Sequence, residues 1–162
     1  MNPLTPVDVE QLNPGSPHAR EILRQYYREV VARYHRREVV DQEVDDAMAD
    51  EPSDDLVAPT GLFVVARRGA QVVGCGGVRV VDARVGELTR VFVVPPERGA
   101  SVAGTLVGHL EDRARAAGLT HLRLDTRADL VEARRLYARL GYVEVEAFND
   151  GPYADHWFSK PL

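Results

Sequence analysis

Two groups of residues in this chain could do chemistry together. The first is the segment Pro95 to Ala103, PPERGASVA. Its two prolines remove backbone donors and end the strand that precedes them. Arg98-Gly99-Ala100 then supplies a cation beside a residue with no Cβ, so that a ligand can approach the backbone. A loop of this kind that opens a helix aims the amides of about Arg98 to Gly104, and the positive end of the helix dipole, at one point. That arrangement suits a phosphate group. An ordinary loop with a flexible glycine has the same composition, so this segment alone leaves both readings open. The second group is ARRLYARLGY, Ala133 to Tyr142, which places Tyr137 on a helix that stops at Gly141. A phenol near a bound cofactor is a proton donor. The two groups together imply an enzyme that holds a phosphate-bearing cofactor and delivers a proton beside it. A Rossmann dinucleotide site is disfavoured, because no G-x-G-x-x-G is present.

The elements that must position these residues follow from periodicity and turn chemistry. Val7 to Leu12 reads as a first strand, and Ser16-Pro17 as a helix start, with Ile22, Tyr26, Val30 and Tyr34 recurring every four positions to about Arg36. Asp41 to Asp55, rich in acids and free of bases, reads as a short helix and loop. Leu62–Ala66, Gln71–Val81 and Glu87–Val94 then read as three strands joined by tight turns, an antiparallel meander. Val102, Leu106 and Leu110, joined by Ala114 and Ala117, form the apolar stripe of a helix that Gly118 ends. His121 to Asp125 is the next strand, so Glu87–Asp125 is a βαβ unit with parallel strands. Tyr142–Val145 and Tyr153–Ser159 read as a terminal hairpin around Asn149-Asp150-Gly151-Pro152. The expected fold class is α/β (α+β), one mixed sheet flanked by helices and a single domain over residues 1–162.

Composition narrows the function classes. A net charge of −5 with no block of Lys or Arg argues against nucleic acid or an anionic membrane as partner. MNPLTPVDVE lacks the apolar core of a signal peptide, and no apolar run reaches the roughly 20 residues that span a bilayer, so a cytoplasmic location is expected. Cys75 is the only cysteine, which excludes an intramolecular disulfide and disfavours a thiol metal site. It lies between glycines with no base beside it and is expected to be a buried, inert thiol.

From Leu62 to Leu162 the chain resembles the GNAT superfamily of acetyl-coenzyme-A-dependent N-acetyltransferases, and the N-terminal part resembles it loosely. The family signature Arg/Gln-x-x-Gly-x-Gly/Ala reads here Arg98-Gly99-Ala100-Ser101-Val102-Ala103, with Ser101 in place of the first glycine. The resemblance implies that amides of Arg98, Gly99, Ala100, Ser101, Val102, Ala103 and Gly104 wrap the pyrophosphate of coenzyme A. It also implies that the backbone of Val91, Phe92 and Val93 pairs with the pantetheine arm as an added strand. The family pattern Asn-x-x-Ala-x-x-Leu-Tyr-x-x-x-Gly-Phe/Tyr is occupied by Leu130, Ala133, Leu136, Tyr137, Gly141 and Tyr142. Leu130 replaces an asparagine that commonly bonds the cofactor. Tyr137 stands where family members protonate the departing thiolate, and Glu87 where they frequently carry the acid that relieves the incoming amine of its proton. A surface Glu in an ion pair is the plain alternative for Glu87. His35 and His156 are weaker base candidates.

The acceptor implied is a primary amine of a small molecule or peptide, and a homodimer is left open by the resemblance. The helix carrying Tyr26, Tyr27, Tyr34 and His35, with the acidic segment Asp41 to Asp55, corresponds to the region where the superfamily builds its substrate walls. Asn149, Tyr153 and Trp157 are further candidates for the pocket, in a tail resembling a bacterial subgroup with a His-Trp-Phe strand. Two alternatives stay open. Ser101 and Leu130 depart from cofactor-contacting positions, which fits a GNAT-fold module that binds coenzyme A or a protein partner as a sensor. Gly74, Gly76 and Gly77 could make room for a longer acyl group, or mark a bulge or close packing.

Overall fold

A computed structural model describes residues 5–99 and 101–162 of the chain. The elements run β1 (Val7–Gln11), α1 (Pro17–His35), α2 (Asp41–Asp50), β2 (Gly61–Arg68), β3 (Gln71–Val80) and β4 (Val85–Val93). After a short 3-10 turn at Pro95–Glu97 come α3 (Val102–Ala116), β5 (His121–Thr126), α4 (Val131–Arg139), β6 (Val143–Val145) and β7 (His156–Pro161). The strands form one seven-stranded sheet in the order β1-β2-β3-β4-β5-β7-β6. β1 to β4 are an antiparallel meander, as the short turns require, and β4 and β5 are the parallel pair bridged by α3. β7 inserts antiparallel between β5 and β6. None of the helices among the described residues is long and apolar enough to cross a membrane.

The core forms where α3 packs on one face of the meander. Leu106, Leu110 and Ala114 of the predicted stripe are fully buried with Val102 beside them. Ala117 is not part of it: the helix ends at Ala116, and Ala117 turns out into solvent as the C-cap. A β-carbon on Gly74 would come within 3.0 Å of Leu106 Cδ1, and one on Gly76 within 2.9 Å of Leu110 Cδ1. These glycines therefore let α3 lie close on β3, and with Gly77 they open no room for an acyl chain. On the other face, Ile22 and Leu23 of α1 and Val44 of α2 are buried. Each such large side chain contributes roughly 1.5–3 kcal/mol by leaving water.

Several boundaries differ from the sequence reading for identifiable reasons. α1 stops at His35 because Arg36 takes a left-handed conformation at the C-cap, φ 56°, where no glycine announces it. β2 runs on to Arg68, past the expected turn, and β4 begins at Val85, because register with neighbouring strands extends both. Beyond the sheet, Lys160 on β7 donates to both carboxylate oxygens of Glu111, at 3.1 and 2.9 Å, and to the Leu140 carbonyl at 2.8 Å. The Tyr142 hydroxyl donates to the same carboxylate at 2.9 Å, so this buried acid ties α3 to the segment after α4 and to β7.

Candidate active site

The parallel pairing of β4 with β5 covers only Val85–Glu87 against His121–Arg123. Past Glu87 the two strands separate, and the edge of β4 faces a cleft of about 1060 Å³. The floor of this cleft carries Val91, Phe92 and Val93, its far wall Leu130, Ala133, Leu136 and Tyr137, and its near wall Tyr26 and Val30 of α1. Arg98, Gly99, Ser101, Val102, Ala103 and Gly104 close one end, and Glu87 lies toward the other. Of the residues assigned to catalysis or cofactor binding from the sequence, Glu87, Val91, Phe92, Val93, Arg98, Gly99, Ser101, Val102, Ala103, Gly104, Leu130 and Tyr137 border this one space, and Ala100 lies outside the described residues.

The loop at the closed end is braced from two sides. Behind it, Glu97 of the 3-10 turn meets the buried Arg68 guanidinium at 3.0 Å. In front, Arg98 folds back: Nε donates to the Val93 carbonyl at 2.9 Å, and Nη2 donates to both oxygens of Glu29 at 2.7 and 2.8 Å. Arg98 is thus a brace between β4 and α1, not a free cation at the mouth of the loop. Gly99 turns the chain at φ 86°, with open space where a β-carbon would sit. Ser101 takes the left-handed conformation as well, φ 64°, so the serine adopts a backbone shape that favours glycine. Its side chain caps nothing. Instead its carbonyl accepts from both the N–H and the hydroxyl of Thr105, each at 3.0 Å. Helix geometry leaves the amides of Val102, Ala103 and Gly104 without intrahelical acceptors, and all three residues line the cleft. The Val102 side chain itself is buried in the core.

Tyr137 is buried between Tyr142 and Phe158, with ring centroids 5.7 and 6.5 Å away. Burial, reinforced by the neighbouring Tyr26, holds its phenol well above the ordinary value, so it stays protonated throughout the physiological range. Tyr26 faces the same space and is pushed up to about 12, again mainly by burial. Leu130 presents an apolar side chain at the N-cap of α4, where it offers no hydrogen bond.

Glu87 sits on β4 directly between Arg79 of β3 and Arg123 of β5. Its carboxylate approaches Arg123 Nε at 3.5 Å without forming a hydrogen bond, and that nitrogen is buried and unpartnered among the described residues. Burial pushes the Glu87 carboxyl above its ordinary range; Arg123 opposes the shift and the charge of Asp125 adds to it. Such a carboxylate is a better proton acceptor than one in water. The other base candidates are placed differently. His156 pairs with Glu144 between β7 and β6, away from the cleft, whereas His35 borders it, exposed and edge-to-face with Tyr34. Cys75 is fully buried, its thiol donating to the Arg90 carbonyl at 3.2 Å, and burial raises its pKa far above a reactive value. Of the tail residues only Tyr153 reaches the cleft. Asn149 instead bonds Asp125 at 2.8 Å and accepts from the Trp157 indole at 3.1 Å, which fixes the loop between β6 and β7.

The model of the acetyltransferase (GNAT) family matches residues 18–142. The chain belongs to the GNAT acetyltransferases. Among its relatives is the IAA acetyltransferase of Azospirillum brasilense, 39% identical over 112 residues, which are 66% of this chain and 72% of the relative. Another is the aminoalkylphosphonate N-acetyltransferase of Salmonella typhimurium, 36% identical over 58 residues, 36% of this chain and 38% of that one. Among solved structures, the PaiA N-acetyltransferase of Thermoplasma acidophilum in complex with coenzyme A superposes with a TM-score of 0.77 at 16% identity, covering 97% of this chain and 99% of that one. A GNAT acetyltransferase of this fold uses acetyl-coenzyme A as its acyl donor.

Arg90 is a cleft residue that the sequence reading did not single out. Arg90 lies buried in the middle of β4, against Tyr26 and Tyr27, in a left-handed conformation of φ 59°. Nothing in the sequence marks it, because the bulge that reorients it carries no glycine on its own strand.

Proposed function

We propose that this acetyltransferase moves the acetyl group of acetyl-coenzyme A directly to a primary amine of a small molecule or peptide, within a single catalytic domain. The observation that carries the reading is the convergence of four features on one cleft: the amides at the start of α3, the unpaired edge of β4, the protonated Tyr137 and the basic Glu87. The amides of Gly99 to Gly104 would hold the pyrophosphate, and the β4 edge at Val91–Val93 the pantetheine arm. Leu130 would contribute only apolar contact. Arg98 would act by shaping the loop, since its guanidinium is already committed to Val93 and Glu29. Ser101 keeps the glycine-like backbone, so the departure from the family signature leaves the cradle in place.

In the reaction, the amine nitrogen attacks the thioester carbonyl and the carbon–sulfur bond breaks. One proton of the ammonium passes to Glu87, directly or through water, before the attack; the departing thiolate takes the Tyr137 proton, and the second proton, shed by the nitrogen as the amide forms, returns to the tyrosine. Burial holds the Tyr137 phenol in its protonated form, so the proton is in place when the thiolate departs. Amides of the β4 edge would polarise the carbonyl.

The test is thiol release from acetyl-coenzyme A in the presence of a broad panel of primary amines, alongside calorimetric titration of the cofactor. Amine-dependent release that Tyr137→Phe suppresses supports the reading. Cofactor binding without amine-dependent release by any member of the panel overturns it and leaves a coenzyme A sensor.

A further inference from the structure

Three charged residues are buried among the described residues: Arg68, Arg90 and Glu111. Two of them have partners of opposite charge, Arg68 with Glu97 at 3.0 Å and Glu111 with Lys160 at 2.9 Å. Arg90 has only neutral acceptors. Its Nε donates to Ser53 Oγ at 3.2 Å, Nη1 to Thr89 Oγ1 at 2.8 Å and Nη2 to the Glu51 carbonyl at 3.1 Å. A guanidinium has five N–H donors, so one on each terminal nitrogen is left over. The cation lies 5.3 Å from the Tyr27 ring centroid and 6.0 Å from that of Tyr26, two residues that line the cleft as Arg90 itself does. Burying a cation without an anion is costly.

The bulge explains how it comes to be there. Cys75 pairs with Phe92 and Gly77 with Thr89, so Arg90 and Val91 together oppose Gly76. The extra residue resets the alternation of side chains. Without it Arg90 would project with Leu88 toward the α3 face; with it, Arg90 joins Thr89 and Glu87 on the face covered by α1 and the segment after α2. Glu87 and Arg90 are about 10 Å apart along the strand, at roughly 3.3 Å per residue.

We infer that Arg90 is the receptor for an anionic group on the acceptor, so that the enzyme acetylates short amines carrying a carboxylate or phosphonate at their other end. The amine would lie toward Glu87 and the anion against the two free N–H groups of Arg90. This rests on the N-acetyltransfer reading for the position of the amine, but binding of the anion can be measured without it. A charge-assisted contact of this kind favours an anionic acceptor over an uncharged one by roughly ten- to a hundredfold.

The experiment compares kcat/KM for β-alanine and 2-aminoethylphosphonate with that for propylamine, in the wild type, Arg90→Gln and Arg90→Lys, with melting curves to verify folding. The same compounds are titrated in the presence of coenzyme A. The expected result is a preference for the anionic members of at least about tenfold, abolished in Arg90→Gln and partly kept in Arg90→Lys. The relative use of β-alanine and 2-aminoethylphosphonate tells carboxylate from phosphonate. Use of propylamine as efficient as that of either anionic amine overturns the inference while transfer stands, and so does a preference that survives Arg90→Gln. Anion binding that depends on Arg90, with no transfer to any amine, upholds the anion site and overturns the acetyltransfer reading. Neither binding nor transfer of the anionic compounds overturns the inference outright.

Discussion

Glu29 of α1 grips Arg98 through both carboxylate oxygens, at 2.7 and 2.8 Å, and so ties the first helix to the loop that opens α3. The carboxylate places negative charge beside the proposed pyrophosphate position and occupies the one cation of the loop. Glu29→Gln removes that charge and frees Arg98 for the phosphates. Calorimetry is expected to show acetyl-coenzyme A binding a few-fold tighter, a gain that shrinks at high salt. Weaker binding instead would mean that the pair holds the loop in its binding shape.

Tyr137→Phe keeps the buried ring and removes only the hydroxyl. The maximal rate should fall by roughly 10²–10⁴, the scale of positioned acid–base catalysis, with the KM for acetyl-coenzyme A and the melting temperature nearly unchanged. Steady-state kinetics at saturating amine checks this, and an unchanged rate removes Tyr137 from the mechanism.

Glu87 gives a pH signature in both rate and stability. Its folded-state pKa is raised, chiefly by burial, so the base form, and with it kcat/KM, grows as pH rises through a midpoint above the ordinary carboxylate value. For stability the sign is opposite: a raised folded pKa favours folding at low pH and is lost as pH rises through it. Glu87→Gln should therefore flatten the acid limb of the rate profile without lowering the melting temperature at pH 7. A steep limb that persists in the variant would assign the titration to another group.

Much of this arrangement was legible in the residues themselves. The apolar stripe through Leu106 and Leu110, the Pro95-Pro96 stop and the Tyr137–Gly141 spacing marked the βαβ unit and the helix that follows it, because each reports a local backbone requirement. What escaped depends on tertiary pairing. The bulge at Arg90 shifts alternation by one residue opposite Gly76, and only strand register reveals it. The same is true of Arg98, whose charge reads as a phosphate ligand until Glu29, 69 residues away in sequence, is seen to hold it.

Ser101 is the strained point of the cradle. A left-handed non-glycine residue costs roughly 1–2 kcal/mol, so Ser101→Gly is expected to stabilise the fold by somewhat less than that, offset by the looser unfolded chain. Thermal melts read the change. Ser101→Val, β-branched at the same φ, should destabilise.

The acids around α2 set the lower limit of stability. Arg37 and the Val40 amide hold Glu43 at about 2 against an ordinary 4.5, and Arg28 and Arg79 lower Asp41 and Asp55. A depressed folded pKa contributes stability above the unfolded value that is lost as pH falls through the folded one. Circular dichroism should show the protein weakening progressively between pH about 4.5 and about 2, and Arg37→Ala should lower stability at neutral pH and make that acid loss shallower.

The ion pair between Lys160 and Glu111 has a consequence for a protein whose partner is a reactive thioester. Lys160 is the single lysine among the 20 basic Lys and Arg side chains of the chain. Its three N–H groups go to the two Glu111 oxygens and the Leu140 carbonyl. Every other positive side chain of this kind is a guanidinium, always charged and no nucleophile. The enzyme can thus stand in millimolar acyl donor without its own lysine side chain being consumed, and amine-directed labels or cross-linkers will find no free lysine on the folded surface.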